Sequence, residues 1–317
     1  MPFHGSSRHP RRSAITPDIA GLALAAGLAV ATSTYGQEPH EEHGHAHAEP
    51  GARHLGDGHS HGGFPEFVDV YFTHHAYLER KIHPRFGATY ATLENEFEGS
   101  GELVWQFNHW FGAELELPVV GIDPETGDGS TGIGDIEIAP MVALWQSPER
   151  LVILSARSGL GLPTGDEDEG LGADGWSWEP GILLWKGYGA EKRGALQAEL
   201  TYERLFADSG PDEEELIYNL AWSHWLSSNW IPIVELNGVT RLSDAPVEEH
   251  EEEPAGGRAV AHGDAADVEE DTVVSGTLGF RYAFANGQQW GLGVQLPLSD
   301  TEGYDWRLVI GGIIHLN

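Results

Sequence analysis

From Phe86 onward, apolar and polar residues alternate in runs of about ten, and turn residues separate the runs. The last run is the clearest. Tyr304, Trp306, Leu308, Ile310, Gly312, Ile314 and Leu316 form one set, and Asp305, Arg307, Val309, Ile313 and His315 fall in the other. A strand sends successive side chains to opposite faces, so each run carries one greasy face and one mixed face. Twelve runs follow this rule, at 86–98, 101–108, 110–120, 132–146, 150–163, 175–187, 193–206, 214–226, 230–241, 272–285, 288–299 and 304–316. Asn286-Gly287 is a tight-turn signal between two of them. Short links at 147–149 and 227–229 alternate with longer ones at 164–174, 207–213 and 242–271. That asymmetry suits an outer-membrane barrel, with tight turns at one rim and long loops at the other. The pattern predicts an all-β, antiparallel up-and-down transmembrane β-barrel of about 12 strands over 86–317.

Parity assigns the faces. Leu196, Ala198, Leu200 and Tyr202 oppose Gln197, Glu199, Thr201 and Glu203, and Phe111, Ala113, Leu115 and Leu117 oppose Gly112, Glu114 and Glu116. An Arg or Lys facing lipid at mid-depth costs ~2–4 kcal/mol, which drives the charged face inward. The expected pore lining is Glu114, Glu116, Asp135, Glu137, Arg157, Glu199, Glu203, Glu235, Arg281 and Arg307. Trp145, Trp176, Trp178, Trp185, Trp225, Trp230, Trp290 and Trp306 lie near run ends, where indoles suit a membrane interface.

The N-terminal part reads differently. Arg8, Arg11 and Arg12 precede an apolar stretch from Ile19 to Ala31, and Thr34 and Gly36 offer small residues before Gln37. Residues 1–36 are read as a secretory signal peptide. Residues 37–63 carry seven histidines among glutamates and glycines with no apolar period, which predicts a disordered tail. Within it, His43, His45, His47, His59 and His61 alternate and are candidate ligands for a divalent transition metal such as zinc, copper or nickel. Residues 64–85 form a pre-barrel segment that fits a helix, a strand or a plug. His74 and His75 would point to opposite faces of a strand there, which makes them poor joint ligands. Residues 244–271 form an acidic loop between two runs.

Bulk composition narrows the function classes. The 317 residues include no cysteine, which removes disulfides and thiolate chemistry. A net charge of −33 leaves no basic stripe for nucleic acid. No nucleophile elbow, phosphate loop or zinc-protease helix occurs. His109, His224 and His315, with Ser155, Ser223 and Ser275, lack catalytic context, and the chain is not read as an enzyme.

One order of motifs is more specific. Gly132-Ile133-Gly134-Asp135-Ile136-Glu137-Ile138 opens one run, the next ends in Gly161-Leu162-Pro163-Thr164-Gly165-Asp166, and a glycine-rich loop then leads to Trp178, Glu179, Pro180 and Gly181. Over most of 86–316 the chain resembles the outer-membrane family labelled MetA-pathway of phenol degradation. The resemblance implies a barrel that passes small, including aromatic, molecules. Together with the periodicity, it predicts a bacterial outer-membrane channel for small solutes, acting by passive diffusion through a carboxylate-rich, cation-preferring lumen and requiring no cofactor. Its partners would be outer-membrane lipid, small hydrophilic or aromatic solutes and the outer-membrane assembly machinery. A metal-handling outer-membrane protein that uses its histidine-rich tail is the alternative.

Overall fold

The computed structural model describes residues 64–91, 94–124, 129–189, 193–243, 272–299 and 304–316. The signal segment, the histidine-rich tail and the acidic loop lie outside these residues. Thirteen strands follow one another: β1 (Arg80–Tyr90), β2 (Glu94–Asn108), β3 (Phe111–Pro124), β4 (Ser130–Ile133), β5 (Ile136–Ser147), β6 (Val152–Leu162), β7 (Gly175–Tyr188), β8 (Gly194–Ala207), β9 (Glu213–His224), β10 (Trp230–Arg241), β11 (Thr272–Ala283), β12 (Gln289–Pro297) and β13 (Trp306–His315).

Each strand pairs antiparallel with its neighbours. β1 pairs with both β2 and β13, and β2 pairs with β3, so the sheet closes into a barrel. The short β4 runs beside Val119–Ile122 of β3, and β5 runs beside Phe111–Glu116 of the same strand. The two therefore share one place in the ring, and the barrel has twelve strand positions. Closure leaves no edge for further pairing.

The strand alternation holds. Leu200, Leu220, Leu236, Leu278 and Leu296 are exposed on the outer wall. Their neighbours Glu199, Thr201, Asn219, Glu235, Thr277 and Gln295 are buried inside. An apolar band of this extent has no reason to face water and suits hydrocarbon. The connections also sort by end. The start of β1 lies beside the end of β13, with Lys81 opposite His315. At that rim, here the terminal rim, the links are the short ones at 109–110, 148–151, 189–193, 225–229 and 284–288. The longer link at 163–174 lies at the opposite rim, as do the end of β10 and the start of β11.

The first hairpin departs from the sequence reading. Gly99-Ser100-Gly101 suggests a break, but these residues sit within β2, opposite Phe86, Arg85 and Pro84. β1 spans Arg80–Tyr90, and β2 begins at Glu94. Ser100 faces inward, where the lumen side chains crowd.

That crowding comes from residues 64–79, which form no regular element and lie within the barrel. Phe67, Ala76, Tyr77 and Leu78 pack on Met141, Ala143, Ile153, Leu183 and Trp185. Val68, Val70 and Tyr71 pack on Ala221, Trp225, Ile231, Ile233 and Val309. Burying a large apolar side chain contributes about 1.5–3 kcal/mol, so the segment is held by packing as well as by polar contacts. Trp185 and Trp225 are only 1% and 4% exposed and belong to this inner core. The membrane-interface reading of these two indoles is corrected: they face inward to cover the segment. Trp145, Trp176, Trp178, Trp230 and Trp306 are exposed, as expected of interface residues.

Candidate functional site: the occupied lumen

The inner wall binds the backbone of the segment through charged side chains. Glu235 on β10 accepts from three consecutive amides, those of Tyr71, Phe72 (3.0 Å) and Thr73 (3.1 Å), and from the Thr73 hydroxyl (3.1 Å). Arg281 on β11 donates to the carbonyls of Asp69 (2.7 Å) and Val70 (3.1 Å) and to Gly311 O (3.0 Å). Its guanidinium also lies over the Tyr71 ring, 5.0 Å from the centroid. Gln197 donates to Val68 O (2.9 Å), Gln289 to Phe67 O (3.2 Å), and Ser155 to Ala76 O. A non-helical segment inside a barrel needs such partners, because a buried amide or carbonyl left unpaired costs about 1–3 kcal/mol.

Close approach is possible because the facing wall is stripped of side chains. Gly279, Gly291 and Gly293 lie under Tyr71, and a methyl group on Gly293 would sit 3.0 Å from its ring. Tyr71 donates its hydroxyl to Phe280 O (2.7 Å) or Leu292 O (2.8 Å) on the same patch.

The side chains of the segment join ion pairs with the wall. Lys81 Nζ bridges both oxygens of Asp69 at 2.6 and 2.7 Å, and Tyr77 donates its hydroxyl to the same carboxylate. Burial alone would raise the Asp69 carboxyl, but Lys81 and the neighbouring histidines hold it well below its usual range. His74 Nδ1 lies 2.8 Å from Glu199 Oε1, and its backbone amide donates to Glu199 Oε2 (2.9 Å). Burial and Arg157 disfavour the imidazolium, yet Glu199 overrides them and the His74 pKa rises to about 9. His75 behaves oppositely: burial, aided by Lys81, pushes it down to about 3. The two adjacent histidines do point to different partners.

Arg157 on β6 gathers three wall carboxylates. Its Nε donates to Glu114 (2.8 Å), one amino group bonds Glu137, and another lies 3.9 Å from Glu179. Arg85 donates to Glu116 (2.7 Å). A cavity of about 30 Å³ lies against Phe72, Arg85, Thr89, Glu98, Ser100 and Arg307. That volume is about one water molecule. Residues 64–79 take up the space beside it among the described residues.

The structure brings together most of the residues that parity assigned to the lumen. Glu114, Glu137 and Arg157 form one cluster; Glu199, Glu235 and Arg281 grip the segment; Arg307 donates to Thr89. Glu116 pairs with Arg85, and Glu203 is buried on the inner face of β8. Asp135 stands apart. It accepts from the amides of Thr164, Gly165 and Ala173, and so fastens the 163–174 loop at the far rim. The tail ligands His43, His45, His47, His59 and His61 lie outside the described residues. A small histidine–glutamate group that could chelate a metal does occur, in the barrel rather than the tail: His75, Glu102 and Glu114, all buried. Sequence reasoning missed Glu102, Lys81 and Asp69. Glu102 was legible, since it alternates with Leu103 and Trp105. Lys81 and Asp69 were not, because nothing in their local pattern states that they meet.

Solved barrels share this architecture. An outer membrane channel from Pseudomonas putida F1 aligns with a TM-score of 0.56 at 16% identity, over 79% of this chain and all of that one. The NanC porin aligns with a TM-score of 0.52 at 8% identity, over 74% of this chain and all of the porin. At such identities the likeness is one of fold. No curated protein sequence matches the chain. The profile of the family described as "Putative MetA-pathway of phenol degradation" matches residues 87–303, more than half of the sequence, and with the closed barrel now described the chain belongs to that family.

Proposed function

We propose that the protein is an outer-membrane channel that passes small solutes by diffusion and is closed, in the conformation described here, by its own residues 64–79. The observation that carries this reading is the combination of an apolar outer wall with a charged inner wall whose space is taken up by one N-terminal segment. A stable structural barrel needs no such segment. Beside its apolar packing, the segment is anchored by hydrogen bonds and ion pairs that water can replace, and its release is the opening step of this reading.

On release, Glu114, Glu116, Glu137, Glu199, Glu203 and Glu235 would face the pore with Arg157, Arg281 and Arg307, while Asp135 would hold the rim loop. The carboxylate excess gives preference for cations and for neutral solutes over anions. The similar channel and porin, and the phenol-degradation label of the family, support small hydrophilic or aromatic molecules as cargo. The lipid of the outer membrane and its assembly machinery are the partners this reading requires. Reversal potentials in a salt gradient across a planar bilayer test it. Cation selectivity is expected, and anion selectivity or a complete absence of current under all conditions would contradict it.

A metal-handling role for the tail is a second reading. Its support is that the tail leads directly into Phe64, which packs on Trp185 near the terminal rim, so ions held at His43, His45, His47, His59 and His61 would be delivered to the mouth of the barrel. Zinc titration of the full chain, with and without those five histidines, tests this. Equal uptake by both forms would remove it.

A further inference from the structure

His75, Glu102 and Glu114 come from three separate pieces of the chain: the lumen segment, β2 and β3. One potential ligand atom from each lies within 4.8 Å of the other two. The side chains of His75, Glu102 and Glu114 are 4–9% exposed. His75 Nε2, Glu102 Oε1 and Glu114 Oε1 are buried and make no hydrogen bond, although His75 Nε2 is only 3.3 Å from Glu114 Oε1. An unpaired buried polar atom is costly, and a cation held where the three side chains meet would give these atoms a partner.

The opposite atoms of the same side chains already have neighbours. Glu114 Oε2 accepts from Arg157 at 2.8 Å, Glu102 Oε2 lies 3.5 Å from His83 Nδ1, and His75 Nδ1 lies 4.0 Å from Asp69. Metal centres use neighbours on the outer side of a ligand to orient it, and Arg157 stands in that place for Glu114. One imidazole and two carboxylates suit zinc, whose ligands stand ~2.0–2.2 Å from the ion. Binding would draw the three atoms together from their present spacing.

We propose that a divalent transition-metal ion, zinc in the first place, binds between His75, Glu102 and Glu114 and pins the lumen segment to the wall at β2 and β3. The site is separate from the histidine-rich tail and does not depend on what the channel carries. Bound zinc keeps the segment docked; its removal loosens the closure.

The test uses the full chain in detergent with all seven tail histidines (His40, His43, His45, His47, His54, His59 and His61) changed to glutamine, so that tail binding is removed. The protein is loaded with zinc chloride, dialysed against a moderate chelator, and its zinc counted by mass spectrometry. One retained ion per chain is expected. Adding His75→Gln or Glu102→Gln should lower zinc affinity at least tenfold, with folding checked by heat-modified migration on a gel. Zinc should also slow amide exchange in residues 71–76 of the parent and leave the His75→Gln form unchanged. No retained zinc in the tail-substituted chain overturns the proposal, as does undiminished binding after both ligand substitutions. Should neither ligand variant fold, the zinc count and exchange of the tail-substituted parent decide.

Discussion

Replacing Glu235 with alanine removes the one wall side chain that satisfies three consecutive amides of the lumen segment, those of Tyr71, Phe72 and Thr73, together with the Thr73 hydroxyl. A buried donor deprived of its acceptor costs about 1–3 kcal/mol, and a hydrogen bond to a charged group contributes about 1.5–3 kcal/mol. The simple sum over three amides would be about 3–9 kcal/mol. Two effects bring it toward the lower end: water can enter the vacated space, and the variant no longer pays to desolvate a carboxylate. A loss of about 3 kcal/mol in docking is the expected result, which shifts the docked–released equilibrium roughly 100-fold. Hydrogen exchange measured by mass spectrometry on the peptide containing residues 71–73 reads this directly, because exchange follows the released fraction when redocking is fast. Asn237→Ala is the control: Asn237 lies two residues along the same inner face and bonds Asn219 rather than the segment. The barrel of both variants should keep its heat-modified migration. If Glu235→Ala exchanged at the wild-type rate, or no faster than Asn237→Ala, the assignment of Glu235 as an anchor of the segment would be wrong.

Other expectations follow from the same contacts. Gly293→Ala places a methyl group 3.0 Å from the Tyr71 ring, so it should loosen the segment by about 1–3 kcal/mol and raise channel opening while the barrel still folds. Arg157→Ala leaves Glu114, Glu137 and Glu179 facing one another without their shared cation; a loss of about 3–5 kcal/mol, read as a lower denaturant midpoint, is expected. In chelator-treated protein, docking should be tightest near pH 6.5. His74, raised to about 9 in the docked state, contributes fully below its free value of 6.5 and loses that contribution as pH rises through 9. His75, lowered to about 3, contributes fully above 6.5 and loses its contribution as pH falls toward 3. Amide protection across residues 71–76 measured from pH 4 to 10 should therefore peak in the middle, and a monotonic profile would count against the two assignments.

The barrel was legible because its physics is local. Leu220 beside Asn219 and Leu236 beside Glu235 state which way each side chain must point, and the short and long links state which rim is which. The first hairpin was misplaced because Gly99-Ser100-Gly101 carries a turn signature that the ladder overrides. Trp185 and Trp225 were misread because an indole near a strand end suits either a membrane interface or a covered interior, and only the packing of Phe67 and Val68 decides. The lumen segment itself was one of three readings for residues 64–85. Its apolar residues at Phe64, Phe67, Val68 and Tyr71 fall at a helical spacing that the segment does not adopt, and some of the wall groups that meet it lie far along the chain, as between Val68 and Gln197. Pairings over that distance arise from closure of the ring, not from any local pattern. The group of His75, Glu102 and Glu114 was hidden because no local spacing links a residue of the lumen segment to β2 and β3.

Since the chain has no cysteine, a pair introduced at Ala76 and Ser155, which meet through a hydrogen bond from the serine hydroxyl to the Ala76 carbonyl, can fasten the segment to the wall with a short reducible cross-linker. Ionic current through this variant in a planar bilayer is the measurement. It should stay near baseline while the cross-link is intact and rise when a reductant releases it. Current that is the same before and after release, in protein shown to have cross-linked, would mean that residues 64–79 do not close the barrel.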